Sequence, residues 1–185
     1  TEKVNAIEVL DGELVTNKVQ GNAILKEGKL TSNVEEDILK VVVVNRYEQH
    51  KPAVAFMKNF GLKRGAIASS VAHDSHNIIA VGADDNAIIR TINMIIENKG
   101  GLSVVDGSLE KSLSLPVAGI MSDQPAESVA EEYHDLSLIA KGLGSSLRAP
   151  YMSLSFMALL VIPSLKLSDK GLFDGDKFEF TNVVV

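Results

Sequence analysis

The stretch Ile38-Leu39-Lys40-Val41-Val42-Val43-Val44-Asn45 decides the fold class. β-Branched side chains crowd the turns of a helix but pack well on a pleated surface, and four valines in a row leave neither face polar. Such a run belongs to a strand covered on both sides, which requires neighbouring strands and further layers above and below. Outward from it, Ala53–Met57 and Gly65–Val71 read as strands separated by Asn59-Phe60-Gly61-Leu62-Lys63-Arg64-Gly65, and Asn77–Val81 reads as another. The polar residues His73-Asp74-Ser75-His76-Asn77 therefore form a turn between two apolar strands.

Helical spacing begins at about Asp84, with Ile88, Ile92, Ile95 and Ile96 as the apolar stripe, Asp84 or Asp85 as cap and Gly100-Gly101 as stop. Strands at Leu102–Val105 and Ser108–Leu115 follow, bent at Asp106-Gly107. Pro125 suits the first turn of a second helix, whose face Val129, Tyr133, Leu136, Ile139 and Leu143 ends at Gly142 and Gly144. A third, Met-rich helix is expected from about Pro150 to Leu160, before Pro163. Near the N-terminus, Ile7–Leu10 and Glu13–Val19 flank the bend Asp11-Gly12, and Asn22–Leu25 and Lys29–Thr31 flank Lys26-Glu27-Gly28. Such hairpins hold no core of their own and must pack on something else. The expected fold is α+β, a mixed α/β layered domain whose sheet is covered by about three helices, with N-terminal β-hairpins.

The 185 residues suffice for one large domain, or a domain with a small appendage, without a stapling disulfide or structural metal. There is no cysteine, which excludes thiolate metal sites and a cysteine nucleophile and accords with a cytoplasmic location. A net charge of −6, with no basic cluster beyond Lys63-Arg64, argues against nucleic-acid binding. Apolar runs such as Phe156–Ile162 are too short for a membrane span. The start at Thr1 within polar sequence suits an excised domain or a processed product as well as the loss of an initiator methionine.

Of the four histidines, His50, His73, His76 and His134, two share the turn with Asp74, Ser75 and Asn77. Imidazole and carboxylate ligate zinc, manganese or iron and move protons near neutral pH, whereas Asp, Ser and Asn are also ordinary turn residues. Both readings of the turn stay open, with His73 and His76 as the metal-ligand candidates. His134 and His50 read as surface residues. Lys63 and Arg64 are weaker candidates for an anion contact, or simply solvated charges. Ser122 or Asp123 is first a capping candidate for the second helix, and both are anion-contact candidates second. No GxGxxG, phosphate loop or GxSxG elbow is present.

Gly61-Leu62-Lys63-Arg64-Gly65-Ala66-Ile67-Ala68-Ser69-Ser70-Val71-Ala72-His73-Asp74-Ser75-His76-Asn77-Ile78-Ile79 resembles the hallmark segment of the C-terminal domain of adenine deaminases of the amidohydrolase superfamily. Leu115–Asp123, Met152–Phe156, Val161–Leu167 and Asp169–Leu172 agree in order, so the resemblance covers most of residues 38–180; Leu160 stands where many members have proline. The resemblance implies hydrolysis of adenine to hypoxanthine and ammonia, in purine salvage, by a manganese or iron (Mn2+ or Fe2+) pair held in an N-terminal (β/α)8 barrel. That barrel is not part of this sequence, so the fragment alone is expected to be inactive. Residues 1–34 are expected to be part of a small β subdomain flanking the barrel, and residues 35–185 to be the C-terminal α+β domain. On this reading the chain completes or covers the purine site of a homo-oligomeric enzyme, with His73 to Asn77 touching substrate, a gating loop or an accessory metal. Two alternatives stand beside it. One is a non-catalytic structural or oligomerisation module with Pro150–Leu160 as interface. The other is an independent metallohydrolase using His73, His76 and a distant carboxylate.

Overall fold

The computed structural model describes residues Thr1–Val185. A nine-stranded sheet dominates, built from β1 (Glu2–Val9), β2 (Thr16–Lys26), β3 (Lys29–Thr31), β4 (Leu39–Val44), β5 (Ala53–Lys58), β6 (Ala66–Ser69), β7 (Ile78–Gly82), β8 (Gly101–Asp106) and β9 (Leu109–Ser114). Its order is β3-β2-β1-β5-β4-β7-β6-β8-β9, and only the β1–β5 pairing is parallel. Helix α1 (Asp85–Glu97) interrupts the strand sequence, and α2 (Ala126–Gly142) and α3 (Pro150–Phe156) follow it. A second sheet of three short strands, β10 (Leu165–Ser168), β11 (Gly171–Asp174) and β12 (Glu179–Phe180), completes the chain.

The valine run behaves as its chemistry requires. Val41 and Val43 enter one core with Ile67, Ile79 and Val81 of the sheet, capped by Leu136 of α2, Leu154 of α3 and Leu165 of β10. Val42 points the other way, into a core with Ala68, Ala80 and the α1 residues Ile88, Ile92 and Ile95. One face of the sheet thus carries α1, and the other carries α2, α3 and the small sheet. The mixed sheet with three helices is the layered α+β fold expected from the sequence.

Several boundaries differ from expectation. The residues 7–19 do not form a tight hairpin: β1 and β2 pair from Glu2–Ala23 to Val9–Thr16, and the connection runs through Leu10–Val15. Asp11 there accepts from the Arg148 backbone N–H (2.9 Å) and Nε (3.0 Å), tying the loop to the approach to α3. Glu27 and Gly28, both at positive φ, do form the tight turn between β2 and β3. Asn22–Leu25 is no separate strand but part of the eleven-residue β2. The N-terminal strands are not a free hairpin pair, because β1 bonds in parallel to β5 through Ala6–Phe56, Ile7–Met57 and Glu8–Lys58.

Asp84 caps α1, its side chain accepting from Ala87 N–H at 2.9 Å, but Ile96 is 54% exposed and not part of the buried stripe. The helix face turns instead through Thr91 and Met94. Pro125 is the N-cap of α2 rather than a first-turn residue, and Gly142 is the last helical residue. Helix α3 stops at Phe156, shorter than expected, and the expected tail to Leu160 is turn. No helix is long and apolar enough to cross a membrane.

Candidate functional site

β6 and β7 are antiparallel neighbours, paired from Ala66–Gly82 to Ser69–Ile79, so the chain between them must reverse at one end of the sheet. That reversal carries His73 to Asn77. Asn77 is buried, His73 and His76 are half-buried, and Asp74 and Ser75 are exposed. The His73 N–H donates to Ser155 O of α3 at 3.1 Å, and the His76 N–H closes the turn onto Ala72 O at 2.7 Å. The His73 ring stacks on Phe156, with centroids 5.3 Å apart and planes 18° apart. Edge-on, the His76 ring meets that of His73 at 5.4 Å. Asn77 Nδ2 donates to Ser75 Oγ at 3.3 Å, and its Oδ1 accepts from the Arg46 backbone N–H at 3.3 Å. All five residues named from the sequence are therefore in one place.

His76 stands apart electrostatically. Its Nδ1 is buried without a hydrogen-bond partner. Burial, then the neighbouring His73 and Arg46, push its pKa below the ordinary histidine value, and Asp74 opposes this. The ring is thus held neutral at physiological pH, the state suited to accept a proton or a hydrogen bond.

The weaker candidates are placed elsewhere. Lys63 and Arg64 precede β6, at the end of that strand opposite the turn. Arg64 Nε pairs with Asp106 Oδ2 at 2.7 Å, and Lys63 Nζ reaches Val34 O at 3.4 Å. The glycine before them serves packing: Gly61, at φ +88°, has its missing Cβ position only 2.9 Å from Gly144 O. Backbone meets backbone there, seating the end of α2 through Lys63 N–H to Leu143 O at 2.8 Å. Ser122 Oγ accepts from Gln124 N–H at 3.1 Å, and Asp123 Oδ1 from Gln124 Nε2 at 3.1 Å, both local turn contacts just before α2. His134 and His50 are exposed, and His50 meets only Glu48.

Ser122 does border an open groove of about 570 Å³ between the first turns of α2, α3 and the edge of the sheet. Leu113, Leu115, Met121, Val129, Tyr133 and Met152 give it an apolar lining. It adjoins the turn, since Ser155, the acceptor of the His73 N–H, and Val71, two residues before His73, also line it.

Sequence reasoning missed three residues at this corner: Arg46, Tyr47 and Phe156. Arg46 Nε donates to His76 O at 2.5 Å and Nη2 to Ala118 O at 2.7 Å, while Tyr47 Oη donates to Ser75 O at 2.9 Å. The one signal for Arg46 and Tyr47 is their place just past Asn45 at the end of the buried valine run, which the β4–β7 pairing at Val44–Ile78 carries to the turn. No group of three or more His, Asp or Glu side chains is placed to hold a metal ion. The distant carboxylate that an independent metallohydrolase would need is not brought to His73 and His76.

A family model described as the adenine deaminase C-terminal domain matches residues 13–179. The chain belongs to the adenine deaminase C-terminal domain family. It is 53% identical to a protein named adenine deaminase from Methanosarcina mazei, over 98% of this chain and 33% of that protein. Proteins of the same name from Sulfurovum sp. (54%, over 94% of this chain and 32% of theirs) and Borreliella burgdorferi (44%, over 97% and 33%) agree. The chain spans about a third of the length of these curated relatives.

Proposed function

We propose that this chain is the C-terminal portion of an enzyme that hydrolyses adenine, with water, to hypoxanthine and ammonia. The observation that carries the reading is identity above 50%, across nearly the whole chain, to proteins named adenine deaminase. The chemistry belongs to a metal pair, manganese or iron, in an N-terminal (β/α)8 barrel outside this chain; two imidazoles here, with no third ligand beside them, do not fit such a centre. What this chain contributes is the corner at His73 to Asn77. The neutral His76 imidazole and the exposed Asp74 and Ser75 offer acceptors and donors to the purine pocket or its gating loop. An accessory metal on His73 and His76 would take its remaining ligands from the barrel. Residues 1–34 join the subdomain flanking the barrel, and the assembled enzyme is a cytoplasmic homo-oligomer.

The test is His73→Ala and His76→Ala in the full-length enzyme, with adenine turnover and bound metal measured together. A loss of turnover is expected in at least one variant. Wild-type turnover and metal content in both would remove the turn from the site.

A second reading, a structural and oligomerisation module, is favoured by one observation: Met121 and Met152 are each about half exposed (53% and 47%) at the apolar groove. Sedimentation separates the two readings. An isolated chain that is strictly monomeric and does not bind the separate barrel would count against the module.

A further inference from the structure

We propose that Arg46 is the positioning residue of this corner, holding the His73–Asn77 turn and the 116–121 loop in fixed relation; this rests on the reading above that the turn serves the purine site. Both segments lie outside the long strand ladders: the 116–121 loop closes on itself through the Val117–Met121 bridge, and the turn through His76 N–H to Ala72 O, but neither of these bonds ties one segment to the other. Their backbone carbonyls converge on one guanidinium. Nε donates to His76 O at 2.5 Å, and Nη2 donates to Ala118 O at 2.7 Å and to Tyr47 Oη at 3.0 Å. The Tyr47 hydroxyl in turn donates to Ser75 O at 2.9 Å, and the guanidinium carbon lies 4.8 Å from the Tyr47 ring centre. From the end of β4, Tyr47 and Arg46 thus grip two successive carbonyls of the turn, those of Ser75 and His76.

Two features show that the fold is arranged around this contact. Gly119 sits at φ +78°, which favours glycine, and a Cβ there would occupy the place of Arg46 Nη1, so a side chain at 119 would displace the guanidinium from its present position. Ser70, just after β6, fastens the same loop from its other side, its Oγ donating to Gly119 O at 2.5 Å. The 116–121 loop itself carries Ile120 and Met121 of the groove wall and leads directly into Ser122. Arg46 therefore sets His76, whose carbonyl it holds, and fixes the groove wall with the same side chain. A lysine has one point charge and no planar fork, and cannot span the His76 and Ala118 carbonyls in this way.

The test compares Arg46→Met, Arg46→Lys and Gly119→Ala in the full-length enzyme, beside the two histidine variants, with kcat and KM for adenine and thermal melting recorded for each. A displaced turn is expected to lower kcat/KM in Arg46→Met by about tenfold to a hundredfold, with KM raised, because misplacing a contact group by about 1 Å has effects of that size. Arg46→Lys is expected to recover only part of the loss. Gly119→Ala is expected to reproduce the kinetic defect, with a lower melting temperature from the strain of alanine at φ +78°, and kcat/KM of the double variant with Arg46→Met to be no worse than that of the more impaired single variant, since both disturb the same contact. A fall in apparent kcat with KM unchanged, matched by an equal loss of folded enzyme in the melting curves, would mean only a smaller folded fraction, and would overturn the positioning role. So would wild-type kinetics in Arg46→Met alongside impaired histidine variants, which leaves the functional reading intact. Histidine variants at wild-type turnover would overturn both.

Discussion

At the scale of single residues, the candidate site is a set of partly buried and exposed polar contacts, with the buried His76 Nδ1 lacking a partner. His76 is held neutral by its surroundings, so protonation works against the fold. Its folded pKa lies below its unfolded value of 6.5, so stability is complete above pH 6.5 and falls as pH drops from there toward the folded pKa. Chemical denaturation of wild type and His76→Gln between pH 7 and 5 checks this: the wild type should lose more stability than the variant. Equal losses, or a histidine NMR titration placing His76 above 6.5, would contradict it. Tyr151 is simpler. Its buried hydroxyl donates to Ser103 O at 2.9 Å, joining α3 to the sheet beside the groove. Tyr151→Phe should cost about 1 kcal/mol in denaturant unfolding, the ordinary worth of such a bond, and no change would show the bond is not formed.

At the scale of elements, α3 holds the site from behind. It supplies Ser155 O and Phe156 to His73, and its C-terminal carbonyl at Phe156 accepts from Lys166 Nζ at 3.0 Å. Lys166 also donates to Leu14 O at 2.6 Å, is fully buried, and has no carboxylate partner; burial lowers its pKa from 10.5 to about 8. A lowered lysine pKa means the charged form strains the fold. The strain is present in full below pH 8 and is relieved as pH rises toward 10.5. Unfolding free energy of wild type relative to Lys166→Met should therefore rise between about pH 8 and 10; parallel curves would refute the assignment. Much of this layer was legible in the sequence. The valine run gave both cores, the isoleucine spacing gave α1, and the helical spacing from Val129 gave α2, because each pattern is local. What escaped depends on distant partners. The parallel β1–β5 pairing joins residues about fifty positions apart, and β10 to β12 are strands of two to four residues whose pairing is with one another. The α3 boundary failed because Met157 and Ala158, though buried, continue the apolar run in a turn. The histidine turn was visible because its residues are contiguous; Arg46, Tyr47 and Phe156 were not, because only the fold carries them there.

At the scale of the whole molecule, the sheet separates two ends with different tasks. One end gathers the turn, Arg46, the 116–121 loop and the mouth of the groove. The other carries Lys63, Arg64 and Asp106, whose charges pair with each other or with backbone. On the proposed function, such a module would lend substrate contacts and rigid support to a site built mostly elsewhere; it groups no three His, Asp or Glu side chains to hold a metal, and it spans about a third of its relatives' length. The most direct measurement is adenine turnover, read as hypoxanthine and ammonia, for the full-length enzyme, the enzyme lacking these 185 residues, and the 185-residue chain alone. The account predicts turnover by the full-length enzyme, none by the chain alone, and a loss of at least about a hundredfold on removing the chain. Full activity without these residues, or deamination by the chain alone, would contradict it.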